Sequence, residues 1–292
     1  MKDIIYINRK TGQQETEIVK GPKTMHYIYN KPIGKMGLRV LFKRKIFSAY
    51  GGWVMNKNKS TERIKPFIDI NSLDMSEFIV PEGGYKNFND FFYRKLQPNA
   101  RPIGENVVSP ADGKIVAFKT ISCCSDFYVK DCSFNLNTFL NNEKLAKKYD
   151  GGSMMVIRLA PADYHRFHFP TDGTPNETKK IKGFYYSVSP IALKQNMKVF
   201  LQNKREFCTL KTKQYGDILM CDVGATLTGT IIQTYTANQP IKKGDEKGHF
   251  AFGGSTVVIL FEKGKISIDT DLLENTKNGF ETSVKMGETI AK

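Results

Sequence analysis

An α+β fold is what this sequence predicts: a β-rich domain of mostly antiparallel sheets behind a helical N-terminal region. Three observations predict it. Beyond residue 99, short runs of β-branched and apolar residues alternate with Gly and Pro turns. Helical crossovers between those runs are mostly absent, which argues against a doubly wound parallel sheet. Between residues 38 and 53, by contrast, Leu38, Leu41, Phe42, Ile46, Ala49 and Trp53 recur at helical spacing. The expected division is a region of strand pair and helices over 1–98 and a β-rich domain over 99–292.

Taken in order, residues 4–19 (IIYINRKTGQQETEIV) read as two short strands around a Lys-Thr-Gly turn. The 33–56 stretch reads as a basic amphipathic helix, with Arg39, Lys43 and Arg44 off the apolar stripe. Val40 and Phe47 break that pattern, and Lys45 must snorkel. Helical pieces continue to residue 96, where NFNDFFYRKL opens on Asn87 as a cap with Asp90 in the first turn. The strands expected next are KIVAF (114–118), SMMVIRLA (153–160), DILMCDV (217–223), TLTGTIIQTY (226–235), STVVILF (255–261) and KISI (265–268). There is no internal repeat and no low-complexity tract.

Composition narrows the function. Of 292 residues, 40% are hydrophobic, enough for a packed core. The net charge of +15 points to a polyanionic partner or an anionic membrane surface. Nucleic acid fits poorly, because the basic residues are dispersed and no zinc-finger spacing, RNP-like run or basic region with heptads is present. No stretch approaches the roughly 20 apolar residues of a spanning helix, so a membrane contact would be peripheral. The helical N-terminal region is its expected membrane-facing part, since a basic amphipathic helix with a Trp suits an interface. Packing of that helix on its own domain is the competing expectation. MKDIIYINRKTGQQE has no apolar signal core, so the five cysteines are expected to be reduced thiols. Cys123-Cys124 with a distant His-x-x-His matches no common zinc spacing, and no metal is expected.

Three constellations carry candidate chemistry. In SPADGKIVAF, Asp112 precedes Gly113 and a strand, where a simple turn is the ordinary explanation. In APADYHRFHFP (160–170), two of the four histidines, His165 and His168, stand among aromatics. A spacing of three places them on opposite faces of a strand or on one face of a helical turn, and imidazoles titrate near neutral pH. In HFAFGGSTVVILFEKG (249–264), two glycines and Ser255 lead directly into an apolar strand. Position 257 is Val, so the Gly-x-Ser-x-Gly nucleophile elbow is excluded. Asp112, His168 and Ser255 still supply an acid, a base and a nucleophile, a set defined by geometry rather than by fold.

The blocks FNDFFYRKLQPNARPI (88–103), SPADG (109–113), DYHRFHFP (163–170), VGATLTGTI (223–231) and KGHFAFGGSTVVILF (247–261) stand in one order. In that order the chain resembles the phosphatidylserine decarboxylases of prokaryotic type, pyruvoyl enzymes that make phosphatidylethanolamine. Many members carry Leu-Gly-Ser-Thr where this chain has Gly253-Gly254-Ser255-Thr256. The resemblance implies that Asp112, His168 and Ser255 form a self-cleavage triad acting at Gly254–Ser255. It implies that Ser255 becomes the pyruvoyl cofactor, the Schiff-base site for phosphatidylserine, and that His165 handles the proton in decarboxylation. The products would be a 1–254 chain and a 255–292 chain that stay together as a heterodimer, with a higher oligomer left open. It also implies a peripheral place on the cytoplasmic side of the cell membrane, with anionic phospholipid and no nucleic acid as partner. Three alternatives stay open from the residues: a pyruvoyl decarboxylase of a soluble amino acid, a serine hydrolase using Asp112, His168 and Ser255, and a basic membrane-binding module without activity.

Overall fold

The computed structural model describes residues 4–17, 51–122, 127–129, 132–183, 203–224, 230–251 and 255–292. Two strands, β1 (Ile4–Asn8) and β2 (Gln14–Glu17), form the N-terminal hairpin. Residues 51–55 are helical. They are followed by a 3₁₀ turn (Asn58–Arg63), α1 (Ile64–Asn71), a second 3₁₀ turn (Met75–Glu77) and α2 (Phe88–Phe92). Next come β3 (Val107–Val108), β4 (Gly113–Phe118), β5 (Phe127–Val129), β6 (Cys132–Phe134), and the short helices α3 (Leu136–Leu140) and α4 (Glu143–Lys148). The strands β7 (Ser153–Leu159), β8 (Arg166–His168), β9 (Thr174–Pro175), β10 (Lys179–Ile181), β11 (Arg205–Lys211) and β12 (Asp217–Gly224) follow. The chain closes with β13 (Ile231–Gln233), β14 (Glu246–Phe250), β15 (Ser255–Phe261), α5 (Thr270–Lys277), β16 (Glu281–Val284) and β17 (Thr289–Ala291).

Ten strands make one sheet in the order β10-β11-β12-β15-β7-β4-β16-β1-β2, with β9 beside β11. Its pairings are antiparallel except for β1 on β16, so the expected β-rich, mostly antiparallel architecture is what the chain adopts. All seven residues of β7 and of β15 are buried. A strand covered on both faces needs an unbroken apolar run rather than alternation, which is what SMMVIRL and STVVILF supply. One face of the sheet, with Ile157, Val257 and Ile259, packs against Phe167 and Phe250 of a three-stranded sheet (β13-β14-β8) and Leu272 of α5. The other face, with Val156, Val258 and Leu260, packs under Phe139, Leu140 and Ala146 of α3 and α4. A satellite core joins Phe67 of α1 to Phe88, Phe91 and Phe92 of α2.

This layering decides where reactive residues meet. Antiparallel order brings the start of β4, the end of β7, the start of β15 and the end of β12 to one edge of the sheet. Asp112, the 160–165 connection and Ser255 therefore gather there, although they are far apart in the chain.

The expected hairpin at 4–19 forms, but it extends the edge of the large sheet by pairing with β16 rather than joining the helices of 51–96. Asn87 caps α2 as expected, accepting from Asp90 N–H at 2.9 Å. KISI (265–268) is not a strand: only Ile268 makes an isolated bridge, to Ala291, because its neighbours lie in a turn. TLTGTIIQTY shortens to β13, with 225–229 outside the described residues. Most of the 33–56 stretch lies outside them too, so a membrane-facing N-terminal helix gains no support from the fold. No helix among the described residues is long and apolar enough to cross a membrane. The strand β11 and helices α3, α4 and α5 were not legible from periodicity, each being short and mixed in composition.

Candidate active site

Asp112 ends the loop that feeds β4. The loop is sewn to its neighbours by backbone bonds: His168 N–H donates to Pro110 O at 2.7 Å, and Ser109 N–H to Glu288 O at 2.8 Å. Gly113 follows because a Cβ there would lie 2.6 Å from Arg158 O, inside contact distance. The Asp112 carboxylate is buried and accepts from Arg101 Nη2 at 2.8 Å, Arg101 Nε at 3.2 Å, Met286 N at 2.8 Å and Lys285 Nζ at 3.3 Å. These four donors fix the carboxylate in place.

His168 lies at the end of β8. Strand alternation sends Phe167 into the core between the sheets and turns His168 the other way. Its Nδ1 lies 2.9 Å from Gly244 O and its Nε2 lies 3.1 Å from Tyr164 Oη. A carbonyl can only accept, so Nδ1 carries the proton and Nε2 carries the lone pair. Burial pulls the His168 pKa below its ordinary value, partly opposed by the Gly244 carbonyl and by the charges of Glu246 and Asp112. Glu246 in turn holds Arg166 at 2.8 Å. Burial would raise the Glu246 carboxyl, but His249 and Arg166 outweigh it and hold it down at about 2.

His165 is fully buried, its Nδ1 donating to Asp163 O at 2.8 Å and its ring 3.9 Å from that of Phe92. The lone pair is again on Nε2. The Asp163 carboxylate accepts from Ala160 N at 2.7 Å and from Lys114 at 3.0 Å, which shapes the connection that carries the histidine.

Ser255 opens β15 in register with Gly224 of β12 and Leu159 of β7. Alternation places it on the face of Val257, the face covered by the β8 layer. It is wholly buried, and its Oγ has no hydrogen-bond partner among the described residues. Gly254 lies outside them. The three triad candidates thus share one edge of the fold but are not joined by hydrogen bonds: Asp112 is bonded to Arg101 and Met286, and His168 to Gly244 and Tyr164. Asp112 influences His168 through its charge, not through contact.

Sequence reasoning passed over Tyr164, Gly244, Arg101 and Glu246, and also a fully buried pair, Asp222 of β12 with Lys247 of β14. Gln233 bridges it, donating to Asp222 at 2.8 Å and accepting from Lys247 at 3.0 Å. Burial alone would lower Lys247, yet Asp222 more than offsets this and holds it above its ordinary value. The signal available was an Asp inside the otherwise apolar run ILMCDVG, a charge that no core strand keeps unpaired.

A buried hydroxyl, two oriented imidazoles and a bonded carboxylate supply the group types that acid–base and nucleophilic chemistry needs. The sequence model of phosphatidylserine decarboxylase matches residues 88–292. The chain is 51% identical over 288 residues to the phosphatidylserine decarboxylase proenzyme of Fusobacterium nucleatum subsp. nucleatum, covering 98% of this chain and 96% of that one. It is 46% identical over 286 residues to the proenzyme of the same name from Clostridium novyi, covering 97% of each. A third, from Clostridium botulinum, is 47% identical over 290 residues and 98% of each chain. The chain belongs to the phosphatidylserine decarboxylase family, and it is a decarboxylase.

Proposed function

We propose that this enzyme removes the carboxyl group of phosphatidylserine, giving phosphatidylethanolamine, after cutting itself between Gly254 and Ser255. The observation that carries the reading is the Ser255 hydroxyl: buried at the start of a core strand, without a hydrogen-bond partner among the described residues. A buried, unsatisfied hydroxyl costs about 1–3 kcal/mol, and one placed to react accounts for that cost. The residues also fit a pyruvoyl group at 255, since the strand behind it is held on both sides by β7 and β12.

In the first stage His168 Nε2 takes the proton from Ser255 Oγ, and Oγ attacks the Gly254 carbonyl carbon. The peptide C–N bond breaks as the new ester forms. Loss of the Ser255 Cα proton together with the Gly254 carboxylate eliminates that ester and leaves an enamine at 255, whose imine tautomer water hydrolyses to a ketone and ammonia. Asp112 favours the imidazolium formed on His168 by its charge alone. In the second stage the pyruvoyl group supplies a carbonyl that engages the substrate amine and draws in the electron pair left by departing CO₂. His165 Nε2, its other nitrogen fixed by Asp163 O, would take the proton that the substrate ammonium sheds and return it to the carbon that lost CO₂. The relatives' proenzyme names support processing, and the net charge of +15 supports an anionic, peripheral membrane surface on the cytoplasmic side.

Intact-mass analysis of the purified protein tests both stages. Two chains are expected, 1–254 and 255–292, the smaller without a free amine. Ser255→Ala and His168→Ala should accumulate uncut, whereas His165→Ala should still cut, at least in part, and lose decarboxylation. A single full-length chain with full activity would end this reading.

A further inference from the structure

We infer that Tyr164 is a positioning residue for self-cleavage: its phenol holds His168 as a neutral base with the accepting nitrogen at Nε2. The inference rests on the role of His168 proposed above and extends it to a residue with no assigned task. Because Nδ1 is committed to Gly244 O at 2.9 Å, the phenol 3.1 Å from Nε2 is the donor whenever the ring is neutral. Tyr164 is buried, and its ring lies against that of His168 with centroids 5.7 Å apart and planes 25° apart. On its other side the ring of Phe78 lies 6.3 Å away. The phenol keeps its proton, because burial raises its pKa above the ordinary tyrosine value.

The charges around His168 make this bond consequential. Glu246 on β14 and Asp112 before β4 both favour the protonated ring, and Arg166 on its own strand opposes them. Asp112 is itself neutralised by Arg101 and, more weakly, by Lys285. A protonated His168 could not accept from Ser255. The Tyr164 hydroxyl donates to Nε2 of the neutral ring, whereas to a protonated ring it could only accept, the weaker role for a phenol, so it works with burial against the two carboxylates. It also keeps the lone pair satisfied while Ser255 is elsewhere. Cleavage then exchanges one O–H donor for another at the same nitrogen: Ser255 Oγ–H replaces Tyr164 Oη–H, and the Ser255 proton passes to Nε2.

The test follows conversion of newly synthesised full-length chain into two chains as a function of pH, for the wild type, Tyr164→Phe and His168→Ala. Tyr164→Phe keeps the ring and removes the donor. Its acid limb should move upward by about half to one pH unit, with several-fold slower cutting below the limb and near-normal cutting above it. A Tyr164→Phe profile that overlays the wild type, with His168→Ala inert, overturns the inference and leaves the proposed function standing. His168→Ala that cuts normally removes the proposed base instead. Should Tyr164→Phe fail to fold, nitrogen NMR of the uncut Ser255→Ala chain, with Tyr164 intact, decides the matter. It should show His168 as the neutral Nδ1–H tautomer at neutral pH, and an Nε2–H tautomer or a charged ring overturns the inference.

Discussion

At the scale of single residues, the site works through what each polar atom is already bonded to. His168 is buried neutral, so its folded pKa lies below the ordinary 6.5. The base form therefore persists to lower pH than for a free histidine, and self-cleavage should stay near its maximum until the pH falls below 6.5. An acid limb centred above that value in a pH series of wild-type processing would contradict the burial argument. Lys247 and Asp222 make a second prediction. Lys247→Met leaves a buried carboxylate unpaired and should cost about 3–5 kcal/mol in denaturant unfolding. Adding Asp222→Leu should recover much of that loss, since a buried pair is often replaceable by apolar residues of similar volume. If the double variant is less stable than the single one, the pair contributes more than mutual compensation.

At the scale of elements, β15 would hold the two products of the proposed cleavage together. Val257, Val258, Ile259, Leu260 and Phe261 are all buried, each contributing about 1.5–3 kcal/mol by burial. The same 255–292 segment adds α5, β16 and β17, with β16 between β4 and β1. Buried Arg158 of β7 joins Glu281 of β16 at 2.7 Å and Glu17 of β2 at 2.6 Å. Arg9 clamps Asp269 at 2.8 Å and Asp271 at 2.7 Å. The two cleavage products should accordingly co-elute in gel filtration and separate only in denaturant. The N-terminal hairpin also covers the β16 edge, and an uncovered edge invites strand addition. Removing residues 1–17 should lower the melting temperature by roughly 2 °C or more and promote self-association, seen by light scattering.

At the scale of the whole molecule, charge and pH set the working range. Glu246, held at about 2 in the fold against an ordinary 4.5, contributes stability that is present above 4.5 and lost as the pH falls toward 2. Glu246→Gln should flatten the stability profile within that window and leave it unchanged in slope at neutral pH. The excess of basic residues, with Trp53 and Ile70 exposed on helical residues and Val80 on the loop that follows, supports the proposed membrane contact. Co-sedimentation with vesicles containing phosphatidylserine should be strong at low salt and weaken as salt screens the surface. Binding that is equal on uncharged vesicles and indifferent to salt would count against an electrostatic contact.

What the sequence determined by itself was the β-rich class, the fully buried runs of β7 and β15, the Asn87 cap and the residue types from which the proposed self-cleavage site is built. These follow from local rules: apolar runs bounded by turns, a cap before a helix, and hydroxyl, imidazole and carboxylate groups in a family's order. Tertiary structure alone decided the partners. Antiparallel strand order carries Asp112, His165 and Ser255 to one end of the large sheet, β8 of the second sheet brings His168 beside Pro110, and the pleat turns His168 toward Tyr164 and Gly244 while Arg101 engages Asp112. These hydrogen bonds join residues 4, 11 and 76 positions apart, and no local pattern encodes which buried donor will meet which acceptor.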